Sequence, residues 1–597
     1  MSQFANVLQT VLGIGLLIFV HELGHYLAAR LAGIRVDVFS LGFGPRLFGF
    51  RAGPTDYRLC LLPLGGYVRV AGEDAVDRSL LERDELYAKG YLARTLFFSG
   101  GVLMNLLFAM VAFPIVFRTG VEFTAPVLGA VHTGGPAWEA ELRPGDRIRA
   151  AHGKEMYSFE NLQVEIALAG RKGLELTVER DGRVFPVQVQ PRYSDTLGIF
   201  SLEVGPPVRG GAAHVQVRAG GPAAQAGLRD GDRLTHLDGV PASPDEVDAQ
   251  LAAVLRAPAR PLALGVLRDG QTHTVEYTPA PDPAGRPSLG VLRAERRVAG
   301  MRGDLPALAR LDLRRGDHVV LVDGRPFAGR DLAPLLRPDV PFELVVEREG
   351  EGRRSLRGSL RSDELAALPR HLAFGYDTIG VGVTPFPGSP AAVAGLRAGD
   401  EIVAVAGERM GGWTDLQQAM RRSSGQEVVL RVRRGAEEQE FRVQPAPPLD
   451  LGFVTVAPIL REVYAKDSVP EALRAGMVAS LDLVKQLYVT LKRLVTGDVS
   501  ARNLGGIIQI SVVSYEYAKS GWARFFYFLG LLSINLAFIN VLPIPILDGG
   551  HLLFLLVERI KGSPVSPRVL HYSQILGLVF VVALMVFVTF NDIRRLF

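Results

Sequence analysis

Apolar residues gather into long runs at both ends of the chain, and between them the pattern is short and alternating. The runs cover Val7 to Leu31, Leu96 to Phe117, Phe525 to Ile546 and Ile575 to Phe590. Crossing a bilayer takes about 20 predominantly apolar residues. Three runs reach that length, and the fourth does so when it begins near His571. Four such runs in one chain predict transmembrane helices rather than buried core helices. A different pattern precedes the third run. Leu473, Met477, Leu481, Val484, Tyr488, Leu491 and Val495 recur at helical spacing, with Lys485, Lys492 and Arg493 between them. This predicts an amphipathic helix, whose place beside a span suits the membrane surface.

The middle of the chain repeats itself. The anchor reads Leu142-Arg-Pro-Gly145-Asp146, then Leu228 to Asp232, Leu313 to Asp317 and Leu396 to Asp400, the aspartates 86, 85 and 83 residues apart. A glycine follows each by seven residues: Gly153, Gly239, Gly324 and Gly407. Small-residue turns precede three copies, at Gly135-Pro136-Ala137, Gly221-Pro222-Ala223 and Ser389-Pro390-Ala391, whereas the third copy has only Pro306-Ala307. Alternating stretches such as Leu176 to Arg180 and Val429 to Val432 predict strands, and Asp181-Gly182 and Asp269-Gly270 predict hairpin turns. A period this long suits a small β-rich domain better than a solenoid repeat. The copies resemble α+β PDZ domains of the bacterial protease type, for which an extracytoplasmic peptide is the expected ligand.

Charge orients the spans. Arg30, Arg35, Arg46, Arg51, Arg58, Arg69, Arg78, Arg83, Lys89 and Arg94 lie between the first two, and the tail before the first carries no basic residue. The positive-inside rule then places 31–95 in the cytoplasm and the repeats outside, although Arg594 and Arg595 weigh against an outer C-terminus. The first run lacks the basic start of a signal peptide and carries ionisable residues, so an uncleaved span is expected. A net charge of +4 on 597 residues gives no reason to expect nucleic acid. The single cysteine, Cys60, excludes an intrachain disulfide and a cysteine-based metal site.

The candidate chemistry lies within the spans. His21-Glu22-Leu23-Gly24-His25 ends the first run. On a helix the two imidazoles share a face and can grip one zinc ion, and Glu22 can act as general base on its water. Ionisable residues are costly in a span and are read as functional. Zinc needs a third protein ligand. Asp548 and His551 both compete for that place, in the broken stretch Asn540-Val-Leu-Pro543-Ile-Pro545-Ile-Leu-Asp548-Gly549-Gly550-His551. Irregular backbone at membrane depth is tolerated where it lines a protein cavity. Asn535 and Asn540 are candidate donors to substrate or oxyanion, or helix-packing residues.

These paired motifs resemble the site-2 protease family of intramembrane zinc metalloproteases, in particular its bacterial sigma-factor-regulating branch. Ser40-Leu-Gly42-Phe43-Gly44-Pro45, Pro63-Leu-Gly65-Gly66-Tyr67-Val68 and Val499-Ser-Ala-Arg502-Asn503-Leu504-Gly505-Gly506 match as well. The resemblance implies one zinc ion per chain held by His21, His25 and Asp548, with Glu22 as the catalytic acidic residue. It also implies a membrane-associated β element in which Gly42, Phe43, Gly44, Gly65 and Gly66 contact substrate. The expected partners are a single-span membrane protein as substrate and membrane lipid. The expected place is the inner membrane of a Gram-negative bacterium. Relatives of this type carry two PDZ domains, and four are expected here.

The expected fold is therefore a polytopic α-helical membrane protein of four transmembrane helices with a membrane-associated β element, plus tandem α+β PDZ-like domains. Its divisions fall at 1–120, 124–192, 205–281, 290–362, 371–446 and 450–597. A non-catalytic membrane scaffold is the rival reading, opposed by Glu22, which a scaffold does not need. A metal transporter is opposed by the confinement of ionisable residues to one cluster.

Overall fold

The computed structural model describes residues 3–596 apart from 74–80, 195–196, 209–212, 243–246, 257–258, 283–284, 304, 330, 379, 436, 457, 498 and 502–503. Arg78, Arg502 and Asn503 therefore lie outside the described residues, as do the side chains of Pro63, Leu64 and Arg595.

Among the described residues, four helices are long and apolar enough to cross a membrane: α1 (Gln3–Leu31), α2 (Tyr91–Thr119), Trp522–Val541 and Pro567–Leu596. Apolar composition alone does not bring such helices together in lipid; close packing of small residues does. α1 and α2 meet at Gly24 and Gly100, where a Cβ on Gly100 would lie 2.8 Å from the Ala28 Cβ and one on Gly24 would strike the Gly100 carbonyl. The third span is shorter than its apolar run. Its helix stops at Val541 instead of Ile546, because Pro543 and Pro545 lack the N–H groups that would continue it. A tight turn, closed by Leu547 N–H donating to Ile544 O at 2.9 Å, leads into a further helix, Asp548–Lys561. Gly549 and Gly550 press against the carbonyls of that turn, where no side chain fits.

Between α1 and α2 lies a long antiparallel hairpin, β1 (Val36–Ala52) with β2 (Thr55–Val70). Its base is buried through Val36, Val38 and Phe39, while Leu47, Phe48 and Phe50 expose their side chains toward the tip. The pairing register slips repeatedly around Gly42 to Arg46, where Gly42 and Gly44 take φ of 91° and 86°. Such values suit glycine alone without strain.

The middle of the chain forms four β-rich units, each with its own apolar core. They are not consecutive, and the linear boundaries set out above change accordingly. Strand His214–Val217 of the second unit pairs with Phe453–Val456, from beyond the fourth anchor, and Leu451 and Phe453 join that unit's core. Val291–Arg293, placed in the third unit by sequence, pairs with Gly382–Pro385 of the fourth. Leu372–Gly375, placed in the fourth, closes the third by pairing with Arg297–Met301. The third unit is thus inserted within the fourth, and the fourth within the second. Linear spacing conceals this because each anchor stays at its own repeat distance. At the neck of the innermost insertion Arg296 Nε donates to Asp377 Oδ2 at 2.8 Å, with both residues buried. The third unit does keep a short helix, Pro306–Arg310. It differs in having only the 3-10 turn Ala333–Leu335 where the others carry Phe159–Ala169, Val247–Arg256 and Trp413–Ser423.

The repeated aspartate has one physical role throughout. Asp146, Asp232, Asp317 and Asp400 are almost fully buried and pair with Arg180, Arg268, Arg348 and Arg434, each on a long strand of the same unit. Each also accepts the backbone N–H three residues earlier. The carboxylate thereby ties the Gly-Asp turn to the sheet with its charge balanced.

The first unit also closes the assembly. The Arg302 guanidinium of the third unit lies 4.2 Å over the Trp138 ring, and Arg315 reaches Glu139 at 3.1 Å. Strand Val121–Thr124 pairs with Arg461–Tyr464, so the chain enters and leaves the four units side by side. The amphipathic helix spans Val469–Thr496. It packs on α2 through small residues, Gly476 against Pro114. Its apolar stripe instead faces outward, with Leu481, Tyr488 and Val495 more than 60% exposed.

Removing one partner of a buried ion pair costs about 3–5 kcal/mol. Asp232→Ala is therefore expected to destabilise the second unit by up to that amount, read as a lower denaturant midpoint, whereas Glu276→Ala, exposed on the strand Gln271–Tyr277, leaves the midpoint nearly unchanged. Burial pushes the Asp232 pKa up, but the Arg268 and Arg229 hydrogen bonds outweigh it and hold the carboxyl below its ordinary value. Its contribution is complete above the unfolded pKa of about 3.9 and is lost as pH falls through the lower folded value. Acid titration of wild type and variant, followed by circular dichroism, is expected to converge at low pH.

Candidate metal centre

Helical geometry places His21 and His25 one turn apart on α1, and the turn after Val541 aims the first residue of the next helix at them. His21 Nε2 and His25 Nε2 are 3.3 Å apart, and Asp548 Oδ2 lies 3.4 Å from each. The Asp548 oxygen is buried and makes no hydrogen bond of its own. Zinc–nitrogen and zinc–oxygen distances of about 2.0–2.1 Å require tetrahedral ligand–ligand edges of about 3.3–3.4 Å. The triangle therefore fits three corners of a zinc tetrahedron, with one corner left open, and the orphaned carboxylate oxygen has its partner there. It is the cluster of three such residues found among the described residues.

α2 supports the pair. His25 Nδ1 lies 2.9 Å from the Phe97 carbonyl, which accepts its proton and leaves Nε2 free to bind. Asn105, two helical turns later, reaches His21 Nδ1 at 3.2 Å. Between them Gly101 faces both rings, and a Cβ there would lie 2.5 Å from His21 Cε1 and from His25 Nε2. The helix that begins at Asp548 is clamped at its far end, where Arg94 of α2 donates to Glu558 through Nη1 at 3.1 Å and Nη2 at 2.8 Å. Asp548 is thus delivered by a helix fixed against α2.

The other residues named from sequence separate. Glu22 is half-buried beside β2, where a Gly66 Cβ would lie 2.9 Å from Glu22 Cγ and equally close to Ser40 O. Phe43 stacks on Tyr67 at 6.2 Å and its ring covers Gly65. Gly42, Phe43, Gly44 and Gly65 therefore shape the strand crossing, while Gly66 borders Glu22. Asn540 Nδ2 reaches His21 Nε2 at 3.3 Å. Asn535 lies earlier on the same helix and makes no hydrogen bond to the three clustered residues among the described contacts. His551 stacks on Phe98 at 4.7 Å with rings almost parallel, outside the triangle. Sequence reasoning passed over Phe97, Gly101 and Asn105. Their regular spacing of four residues, with two small or polar positions inside an apolar run, was the available signal.

Because a methyl group has no room between the rings, Gly101→Ala is expected to spread the histidines. Metal analysis of the purified variant should find most of the bound zinc gone, with α-helical content unchanged.

The family model described as Peptidase family M50 matches residues 9–584. Protease RseP of Yersinia pestis is 27% identical over the whole of both chains. Regulator of sigma-E protease RseP of Escherichia coli strain K12 is 26% identical over 98% of each, and a putative zinc metalloprotease of Chlamydia pneumoniae is 25% identical over 98% of each. A match across almost the whole length, on a chain that gathers two histidines and an aspartate between apolar helices, leads to one conclusion: the chain belongs to peptidase family M50 and is an RseP-like intramembrane zinc metalloprotease.

Proposed function

We propose that His21, His25 and Asp548 hold one zinc ion per chain and that Glu22 moves the proton in cleavage of single-span membrane proteins. The observation that carries this reading is the triangle of ligand atoms with edges of 3.3 and 3.4 Å. Zinc bound there would supply Lewis acidity at the open corner and make water a stronger acid. Glu22 takes the water proton and returns it to the leaving amine. Asn540, whose amide nitrogen lies 3.3 Å from His21 Nε2, donates a hydrogen bond to the carbonyl oxygen as charge develops on it. A helical substrate hides its amides in its own backbone bonds, so a segment must unwind before attack. The β2 edge near Gly66 holds that segment by strand addition beside Glu22.

The excess of basic residues in 31–95 supports a cytoplasmic position for that segment of an inner-membrane protein, with the four units outside. The surface helix Val469–Thr496 then lies between units and spans, with its outward apolar stripe against lipid. Substrates of the anti-sigma-factor or signal-peptide kind suit this arrangement. The units read as PDZ-like domains that filter substrates by the bulk of their outer portions. The third unit, whose helix at the place corresponding to its neighbours' is reduced to the turn Ala333–Leu335, serves as a spacer. In the other three, capture of a peptide at a strand edge remains compatible with the fold.

Two experiments test these readings. His21→Ala and Asp548→Ala are expected to lose zinc, while Glu22→Gln keeps it and cleavage falls by about 10²–10⁴-fold. Normal cleavage by purified Glu22→Gln protein would remove the assignment. For the filter, Thr124 pairs with Arg461, so residues 125–460 can be replaced by a short glycine-serine turn closing that hairpin. The shortened enzyme is expected to cut substrates with and without their outer domains alike. A retained preference for trimmed substrate would count against the filter.

A further inference from the structure

Asn105 is completely buried in α2, and its side chain has one unsettled atom. Its Nδ2 lies 3.2 Å from His21 Nδ1, while its Oδ1 is buried without a hydrogen-bond partner. An imidazole that binds a metal through Nε2 carries its proton on Nδ1 and needs an acceptor there. With His21 Nε2 directed at Asp548 and His25, the amide nitrogen would face that N–H donor to donor. A half-turn of the amide exchanges its two ends and places the orphaned oxygen on the proton. His25 already has the equivalent arrangement, with the Phe97 carbonyl 2.9 Å from its Nδ1. The backbone of Asn105 is itself fixed, because Ser533 Oγ donates to its carbonyl oxygen at 2.9 Å.

We infer that Asn105 is a positioning residue of the metal centre. With zinc bound, its Oδ1 accepts the Nδ1 proton of His21, fixing the tautomer and ring plane that present Nε2 to the metal. α2 thus supplies one acceptor to each histidine, a backbone carbonyl at Phe97 and a side-chain amide at Asn105, on either side of Gly101. A helix can lend a carbonyl where a following residue's N–H does not claim it fully; elsewhere a side chain has to provide the acceptor. The inference rests on the reading of His21 as a ligand.

The test measures zinc affinity by chelator competition on the purified full chain, together with thermal melting of the metal-free protein. Asn105→Leu keeps the size and removes the acceptor, and is expected to weaken zinc binding about 10–100-fold. Asn105→Ala, which leaves space instead of an apolar branch, carries the same expectation and serves if the leucine variant does not fold. Asn105→Asp retains an acceptor and is expected to restore affinity to within about threefold of wild type, which a packing role would not produce. The metal-free melting temperatures should differ far less than the affinities. Wild-type affinity in the leucine and alanine variants, or an aspartate variant as weak as they are, would overturn the inference. His21→Ala run in parallel separates the two readings: if it still binds zinc normally, the ligand assignment itself fails.

Discussion

Two imidazole nitrogens and a carboxylate oxygen held within 3.4 Å of one another, in a bundle of apolar helices, form the constraint to which the membrane region conforms. Without a cation such a group is costly, because a buried carboxylate oxygen lacks a partner and two imidazole nitrogens face each other. The surrounding backbone lets this arrangement exist. Gly24 and Gly100 bring α1 and α2 close enough for the Phe97 carbonyl to reach His25 and the Asn105 side chain to reach His21, and Gly101 leaves the volume the rings occupy. The proline-interrupted turn brings in a carboxylate from the third side, and Gly549 and Gly550 let its helix pack against that turn. The glycines and prolines that look like interruptions in the apolar runs are therefore the residues that build the site.

Much of this was legible because the chemistry is local. Two histidines four residues apart need only a helix to share a face, and a double proline in an apolar run needs only the loss of two N–H groups to break it. The third candidate ligand lies more than 500 residues away, and spacing alone left Asp548 and His551 equivalent. The structure separates them, with His551 turned onto Phe98. Asn535 and Asn540 were equally plausible for the same reason, since both sit on one apolar helix, and in the folded chain it is Asn540 that reaches His21. The supporting residues on α2 were hidden because a main-chain acceptor such as Phe97 O leaves no trace in side-chain identity.

The soluble part was legible in a different way. The recurring Gly-Asp marked four units because each buried aspartate needs the arginine of its own sheet to balance its charge, so the anchor is under local physical pressure. The partners between sheets are under no such pressure from spacing. An edge strand such as Phe453–Val456 carries the same alternation whether it pairs with a neighbour in sequence or with a strand over 200 residues away. The order of the anchors therefore gives the number of units but not the way they are threaded.

That threading has a consequence for how the chain is made. A chain emerging from its N-terminus finishes the first unit early, but the second must wait with the last strand of its sheet missing. The third unit closes when Leu372–Gly375 arrives, the fourth after Glu437–Val443, and the second once Phe453–Val456 is available. Completion runs from the innermost unit outward, and throughout this interval His214–Val217 keeps one side of its backbone unpaired. An open strand edge is a template for pairing with the wrong chain. Nesting thus shifts the vulnerable period of this protein from its membrane helices to a four-residue strand waiting for a partner that is translated last among the units.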